Sequence, residues 1–272
     1  MTRNIVIPKH DYTTIEAEDI EAADTSEWIA VLPLGAHEQH GPHLPFETDT
    51  IIASGIAERL KGKLSVDLPV TVLPAEPVGY SPEHMDFPGS KTLSYDEAIE
   101  RWIDVGAKLS EQGIRKLLLL NAHGGNSPLM TIVATELRVR HDMLCVATSW
   151  TRFIEAGEVI TLEEKALGIH GGDIETSIML ALAPDMVDMT KADDFQSFQQ
   201  ELAGKHEHLR AYGPHAFGWK MQDLNGQGVV GNAGLATAAK GEVLIDMAVT
   251  GLKQLLEDIS RFNLAHFESR GD

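Results

Sequence analysis

The chain has 272 residues, 41 of them acidic and 22 basic, and carries a formal charge of −19. That excess opposes phosphate backbones and anionic lipid at long range, so neither nucleic acid nor a membrane surface is an expected partner. With 43 % apolar residues, no apolar run near the ~18 residues of a membrane helix and one cysteine, Cys145, the composition points to a folded, disulfide-free protein, expected in the cytoplasm.

The opening MTRNIVIPKHDY lacks the basic-then-apolar form of a signal peptide. No repeat or long Pro/Gly/Ser linker divides the chain, and 1–272 is expected to form one domain. Buried strands are predicted at 28–34, 70–73, 116–120 and 143–149 from their Val, Leu and Ile content. Cys145 falls inside the last of these and reads as a small core residue. Ser94 with Glu97 forms a capping box opening a helix that places Ile99, Trp102, Ile103, Gly106 and Leu109 on one face and stops near Gly113. Further helices are predicted over 127–140, over 173–183 where Pro184 halts the pattern, and over about 242–262. Strands separated by helices of this length imply an α/β fold with a mostly parallel sheet covered on both faces. In such folds ligands bind beyond the carboxyl ends of the strands.

The chemistry-bearing residues gather there. After the first strand the chain reads L-G-A-H-E-Q-H-G-P-H-L-P-F-E-T-D-T. An H-E-x-x-H metal helix is excluded, because His37 and His40 are three apart instead of four and Gly41-Pro42 blocks a helix. In an extended segment Glu38 and His40 share one face while His37 and Gln39 point away. That spacing suits one ligand for each of two neighbouring metal ions, with Asp49 returning after the turn through Pro45 as a shared carboxylate. A solvated polar loop is the alternative.

The third strand runs into N-A-H-G-G-N-S, which puts His123 at its end and lets the backbone at Gly124 and Gly125 approach a ligand. Asn126 or Ser127 is placed to cap the next helix, whose free N–H groups favour an anion. A plain β-turn-α connection with a hydrogen-bonded histidine would read the same way. In the block G-I-H-G-G-D-I-E-T-S-I-M-L, Asp173 reads as an N-cap, and His170 repeats the H-G-G pattern. Glu175 lies off the apolar stripe in the first turn, where a glutamate also simply matches the helix dipole. Together Glu38, His40, Asp49, His123 and Glu175 make a mixed oxygen and nitrogen set suited to Zn²⁺, Mn²⁺ or Fe²⁺. Two such ions about 3.5 Å apart would activate a bridging water and polarise a carbonyl.

These three blocks, with G-V-V-G-N-A-G-L-A-T-A-A-K-G-E at 228–242, resemble the signature segments of the creatininase family of metal-dependent amidohydrolases. The resemblance spans roughly 28–260 and implies a three-layer α/β/α sandwich with a mostly parallel central sheet. It further implies a homohexamer and two divalent ions per chain, zinc first, with manganese or iron as alternatives. By the same resemblance Glu38 and His123 hold one ion, His40 the other, and Asp49 both. Creatininase proper has a glutamate two residues after the second-block histidine, as a ligand of the second ion. Here that position is Gly125. Glu175 is therefore the candidate either to complete the second site or to act as general base.

The expected function is hydrolysis of a small amide or cyclic amide by a hydroxide bridging two ions, with Glu175 or His170 moving the proton to the leaving nitrogen. A deformylase or a cyclic sugar-ketone hydrolase of the same family is the enzymatic alternative. A metal-binding scaffold without turnover is the other, disfavoured because all five ligand positions are filled. His37 and His43 are expected to orient the ligating carboxylates. Phe87, Trp150, Trp219 and the stretch 212–219 are expected to wall the cleft.

Overall fold

Segments such as I-A-V-L-P-L and K-L-L-L-L-N are apolar at nearly every position, which suits strands buried on both faces. A computed structural model describes residues 6–157 and 159–267, and these segments form strands in it. In chain order α1 (Ala17–Ala22), β1 (Ile29–Leu34), α2 (Thr48–Lys61), β2 (Val70–Val72), α3 (Tyr95–Glu111), β3 (Lys116–Asn121), α4 (Ser127–His141) and β4 (Leu144–Ser149) come first. They are followed by α5 (Leu162–Leu167), α6 (Asp173–Leu182), β5 (Asp194–Phe195), α7 (Phe198–Lys205), α8 (Met221–Leu224), β6 (Gly231–Asn232) and α9 (Ala238–Arg261).

The central sheet has the order β2-β1-β3-β4 with every pair parallel, Ile29 lying opposite both Val70 and Lys116. Alternate strand residues feed two cores. Ile29, Val31, Leu118 and Leu120 pack with Ile52, Ile56 and Leu60 of α2, Ile178 of α6, and Leu244, Ala248 and Leu252 of α9. Ala30, Leu32, Leu117 and Leu119 pack on the opposite face with Trp102 and Ile103 of α3 and Met130, Val133 and Leu137 of α4. The result is the expected three-layer α/β/α sandwich. Cys145 packs against this second core, and burial pushes its thiol up to about 12, as befits an inert core residue. Among the described residues no helix is long and apolar enough to cross a membrane.

Two features position the site. From β1 the chain leaves through α2 on one face, and from β3 through α4 on the other, so the loops after these adjacent strands diverge. That divergence is the switch point at which open α/β sheets bind ligands. The second feature is the pairing of α6 with α9. The capping box at Ser94 and Glu97 is present as expected, but α9 begins at Ala238 instead of about 242, capped by Thr237. Its first turn, A-A-K-G, carries no large apolar residue and so gives no periodic signal. Gly241 sits there because α6 comes close, and a Cβ at this position would lie 2.0 Å from the Ser177 carbonyl oxygen.

Gly241→Ala sets two effects against each other. Alanine favours helix by about 1 kcal/mol, whereas overpacking against a backbone carbonyl costs about 1–3 kcal/mol. A carbonyl that cannot move without α6 puts the cost at the upper end, so the melting temperature is expected to fall by a few degrees. A variant that melts at or above the parent temperature would show that the helices are not in this contact.

Candidate metal centre

The β1 exit loop is closed by the Glu38 amide, which donates to the Phe46 carbonyl at 3.0 Å. Closure carries the first turn of α2, and Asp49 with it, back over Glu38 and His40. Across the switch point Asn121 holds the β3 exit by accepting from the His123 amide at 3.1 Å and donating to its carbonyl at 2.6 Å. Asn126 donates to the Gly35 carbonyl at 3.1 Å and accepts from the Tyr80 amide at 2.9 Å, tying three loops together. It stands at the N-cap position of α4 but does not cap the helix, because its amide is used in these ties.

The five expected ligand residues converge. Asp49 Oδ1 lies 3.3 Å from His40 Nε2, while Oδ2 lies 3.4 Å from His123 Nδ1. Glu38 Oε1 is 3.0 Å from His123 Nδ1, and Glu175 Oε2 is 3.8 Å from His40 Nε2. The ring orientations are set from outside. His40 Nδ1 donates to the Glu38 carbonyl at 2.9 Å and His123 Nε2 to the Tyr80 carbonyl at 2.9 Å, so the other nitrogen of each faces the carboxylates. Among the described residues Glu38 Oε1 and Oε2, His40 Nε2 and Asp49 Oδ2 are buried without a hydrogen-bond partner. Buried polar atoms are rarely left so, and this donor set fits divalent cations. One trio, His40, Asp49 and Glu175, and another, Glu38, Glu83 and His123, each bring ligand atoms within 4.8 Å of one another.

The electrostatics agree. Burial opposes charge on Glu38, yet His123, His84 and His170 around it hold its carboxyl well below the usual range. Burial likewise disfavours the His40 imidazolium, but Asp49, Glu175 and Glu38 raise it to about 9. The same contest, led by burial and then Glu38, leaves His123 well above its ordinary value. Burial lifts Glu175 to about 7, against the pull of His40. Without metal, protons on His40 and His123 neutralise the carboxylates, and a divalent cation binding there must displace them.

His170 is also at the centre, its Nδ1 3.6 Å from Glu38 Oε1 and its Nε2 donating to the Gln39 carbonyl at 2.8 Å. Burial first, and His40 next, keep it well below the usual histidine value and therefore neutral.

Other expectations are corrected. His37 faces the exposed Glu47 at 3.6 Å, and His43 bonds to the Gly171 carbonyl and Thr176 Oγ1, so neither orients a candidate ligand carboxylate. Asp173 is the first residue inside α6 with Gly172 at the N-cap, and its carboxylate instead accepts from Ser177 Oγ at 2.9 Å and Lys240 Nζ at 2.5 Å. A buried carboxylate facing an ammonium across the α6–α9 contact is better satisfied there than by a cap.

Missed altogether were Glu83 and His84, on the short turn Pro82–His84. His84 Nε2 stands 3.4 Å from Glu38 Oε1, and its ring is 4.4 Å from that of His170. The signal was available, since S-P-E-H comes after the second strand and a proline opens such a turn.

A cavity of about 330 Å³ lies against His123 and Glu175, walled by Asn121, Ser149, Trp150, Ile154 and Lys165. Of the expected wall aromatics only Trp150 lines it. Phe87, Tyr212, Phe217 and Trp219 instead pack around Leu202, Met221 and Val230 as a separate core.

Comparison with known proteins bears on all of this. The family model described as "Creatininase: Creatinine amidohydrolase" matches residues 13–256. The chain is 26 % identical to the creatinine amidohydrolase of Pseudomonas putida, over 95 % of its own length and 98 % of the relative's. It is 30 % identical to the mycofactocin precursor peptide peptidase of Mycobacterium tuberculosis, over 78 % and 77 % of the two lengths. A solved structure titled "Creatininase Mn" superposes with a TM-score of 0.74 at 24 % identity, covering 94 % of this chain and all (100 %) of that one. The chain belongs to the creatininase family of hydrolases.

Proposed function

We propose that this protein is a dinuclear metal-dependent hydrolase of a small amide or cyclic amide, with the whole chain, 1–272, acting as one hydrolase domain. The observation that carries the reading is Asp49, whose two oxygens face His40 and His123 on opposite sides of the switch point at 3.3 and 3.4 Å. One carboxylate shared by two nitrogen ligands suits two ions, the first held by Glu38, Asp49 and His123, the second by His40, Asp49 and Glu175. Zinc is the first expectation and manganese or iron the alternatives, in keeping with oxygen and nitrogen donors and no thiolate. Bound at these positions, two divalent ions supply an activated water and a Lewis acid for the carbonyl oxygen.

The remaining chemistry belongs to the chain. The 330 Å³ cavity admits a small carbonyl compound, and Trp150 and Ile154 give it an apolar wall. Glu175 Oε2, fixed by the Gly171 amide at 2.7 Å, stands where cavity and centre meet; it serves either as the third ligand of the second ion or, left off the metal, as the acid–base group, burial lifting it to about 7. His170, neutral and fixed through Nε2, presents Nδ1 to the centre as a proton acceptor. Either group takes the proton that the attacking water loses and passes it to the leaving nitrogen. A homohexamer in the cytoplasm completes the reading, on the strength of the family resemblance, and a monomer by light scattering would remove that part of it.

A panel of cyclic amides, formamides, cyclic sugar ketones and short peptides, assayed with Zn²⁺ and Mn²⁺, is expected to give turnover on an amide. Turnover confined to formamides or cyclic ketones would select the deformylase or sugar-ketone alternative. Glu175→Gln is expected to abolish turnover and deplete the second ion. Two ions retained with activity lost would make Glu175 a base and not a ligand; both retained would remove it from the mechanism.

Metal loading should also be linked to pH. His40, raised to about 9, and His123, held well above its ordinary value, are protonated at pH 7.5 and must lose those protons to bind metal. Affinity is therefore expected to rise with pH across 6 to 8, with roughly two protons released per loaded chain. Calorimetry in buffers of different ionisation enthalpy measures this release, and a pH-independent affinity would contradict it.

A further inference from the structure

We propose that Glu83 is an additional ligand of the first metal ion, delivered by the Pro82–His84 turn into space from which Gly125 excludes a side chain. The proposal rests on the dinuclear reading. Its geometric basis is at residue 125. A Cβ there would lie 2.3 Å from the Tyr80 carbonyl oxygen, 2.5 Å from His123 Nε2 and 2.9 Å from Glu83 Oε1. The first contact is with backbone, so no larger residue fits without moving the 80s loop. The carboxylate already in that space belongs to Glu83.

Three further observations point the same way. Glu83, Glu38 and His123 each offer a ligand atom within 4.8 Å of the others. Both carboxylate oxygens of Glu38, wholly buried, lack a hydrogen-bond partner among the described residues, which marks unfilled demand for a cation at this spot. The Glu83 side chain is itself only 16 % exposed, so its carboxyl group is turned inward and not into solvent.

The chemical consequence is selectivity. Glu38, Asp49 and Glu83 with His123 give the first site three carboxylates and one imidazole. The second site keeps two carboxylates and one imidazole. More oxygen donors favour an ion of higher coordination number, so the first site should prefer Mn²⁺ or Fe²⁺ and the second Zn²⁺.

The test uses full-length protein stripped with chelator and titrated with Mn²⁺ alone and Zn²⁺ alone against a chromophoric competitor, comparing the parent with Glu83→Gln and Glu83→Asp. Circular dichroism and melting of the metal-free forms establish that each variant is folded. Glu83→Gln is expected to weaken one Mn²⁺ site about tenfold or more, leave the other unchanged, and alter the visible absorption of the Co²⁺-loaded protein, with Glu83→Asp intermediate. Parent-like affinities and an unchanged Co²⁺ spectrum in folded Glu83→Gln would overturn the proposal while leaving the dinuclear reading intact. A parent protein that binds no divalent ion at all would overturn both.

Discussion

Glu38 and Asp49 are almost wholly buried, both on the β1 exit of a parallel sheet, with three of their four carboxylate oxygens lacking a hydrogen-bond partner among the described residues. Desolvating an ionised carboxylate costs several kcal/mol even after relaxation. Such a pair persists only if positive charge is placed against it, and without metal the imidazoles of His40 and His123 supply it, while burial keeps His84 and His170 low and neutral. His40, His84, His123 and His170 all come within 4 Å of a carboxylate of the centre. They arrive from four separate segments, so the fold must hold four loops in register around two acids. The ties through Asn121 and Asn126, the closed loop from Glu38 to Phe46, and the Gln39 carbonyl that accepts from His170 serve that requirement.

The sheet supplies what those ties act on. Since the connections from β1 and β3 leave toward opposite faces, the space between their first residues is bounded by main chain and not filled by a crossing helix. The α6–α9 pair then closes the far side. Gly241 lets the helices meet, Lys240 of α9 pairs with Asp173 of α6, and the first turn of α6 presents Glu175 to His40. A contact remote from the chemistry thus fixes the position of a residue within it.

Much of this was legible in the sequence, for physical reasons that differ by residue. The strands read clearly because burial on both faces demands continuous apolar runs, and their order with intervening helices gave the layered fold. Glu38, His40, Asp49, His123 and Glu175 were visible as polar groups immediately after those runs. His84 and Glu83 were not, because their strand, Val70–Val72, is only three residues long and the turn that carries them lies well beyond it, marked only by the proline that opens it. Asp173 was misread because a capping position and an inter-helix ion pair both require a small acid at a helix start, and only the partner, Lys240, tells them apart. The aromatics at 212–219 failed as cleft walls since apolar character alone does not distinguish a cavity lining from a satellite core.

The contrast between Glu38 and Glu164 shows how burial divides structural from chemical carboxylates. Both are largely inaccessible, at 0 % and 8 % exposed. Glu164, however, accepts from the Asp173 amide at 2.7 Å with one oxygen and from the Asn232 amide at 2.9 Å with the other. Two backbone donors complete its coordination, and in return it clamps α5 to the start of α6 and to β6. No ion is needed there. Glu38 has no such donors among the described residues, only imidazole nitrogens, of which those of His123 and His170 have their other ring nitrogen bonded to a backbone carbonyl. A fold that satisfies one buried glutamate with amides nine residues and 68 residues away has the means to satisfy a second. Leaving Glu38 to histidines keeps its oxygens open to a cation, at a stability cost that a bound ion offsets through the linkage of metal binding to folding.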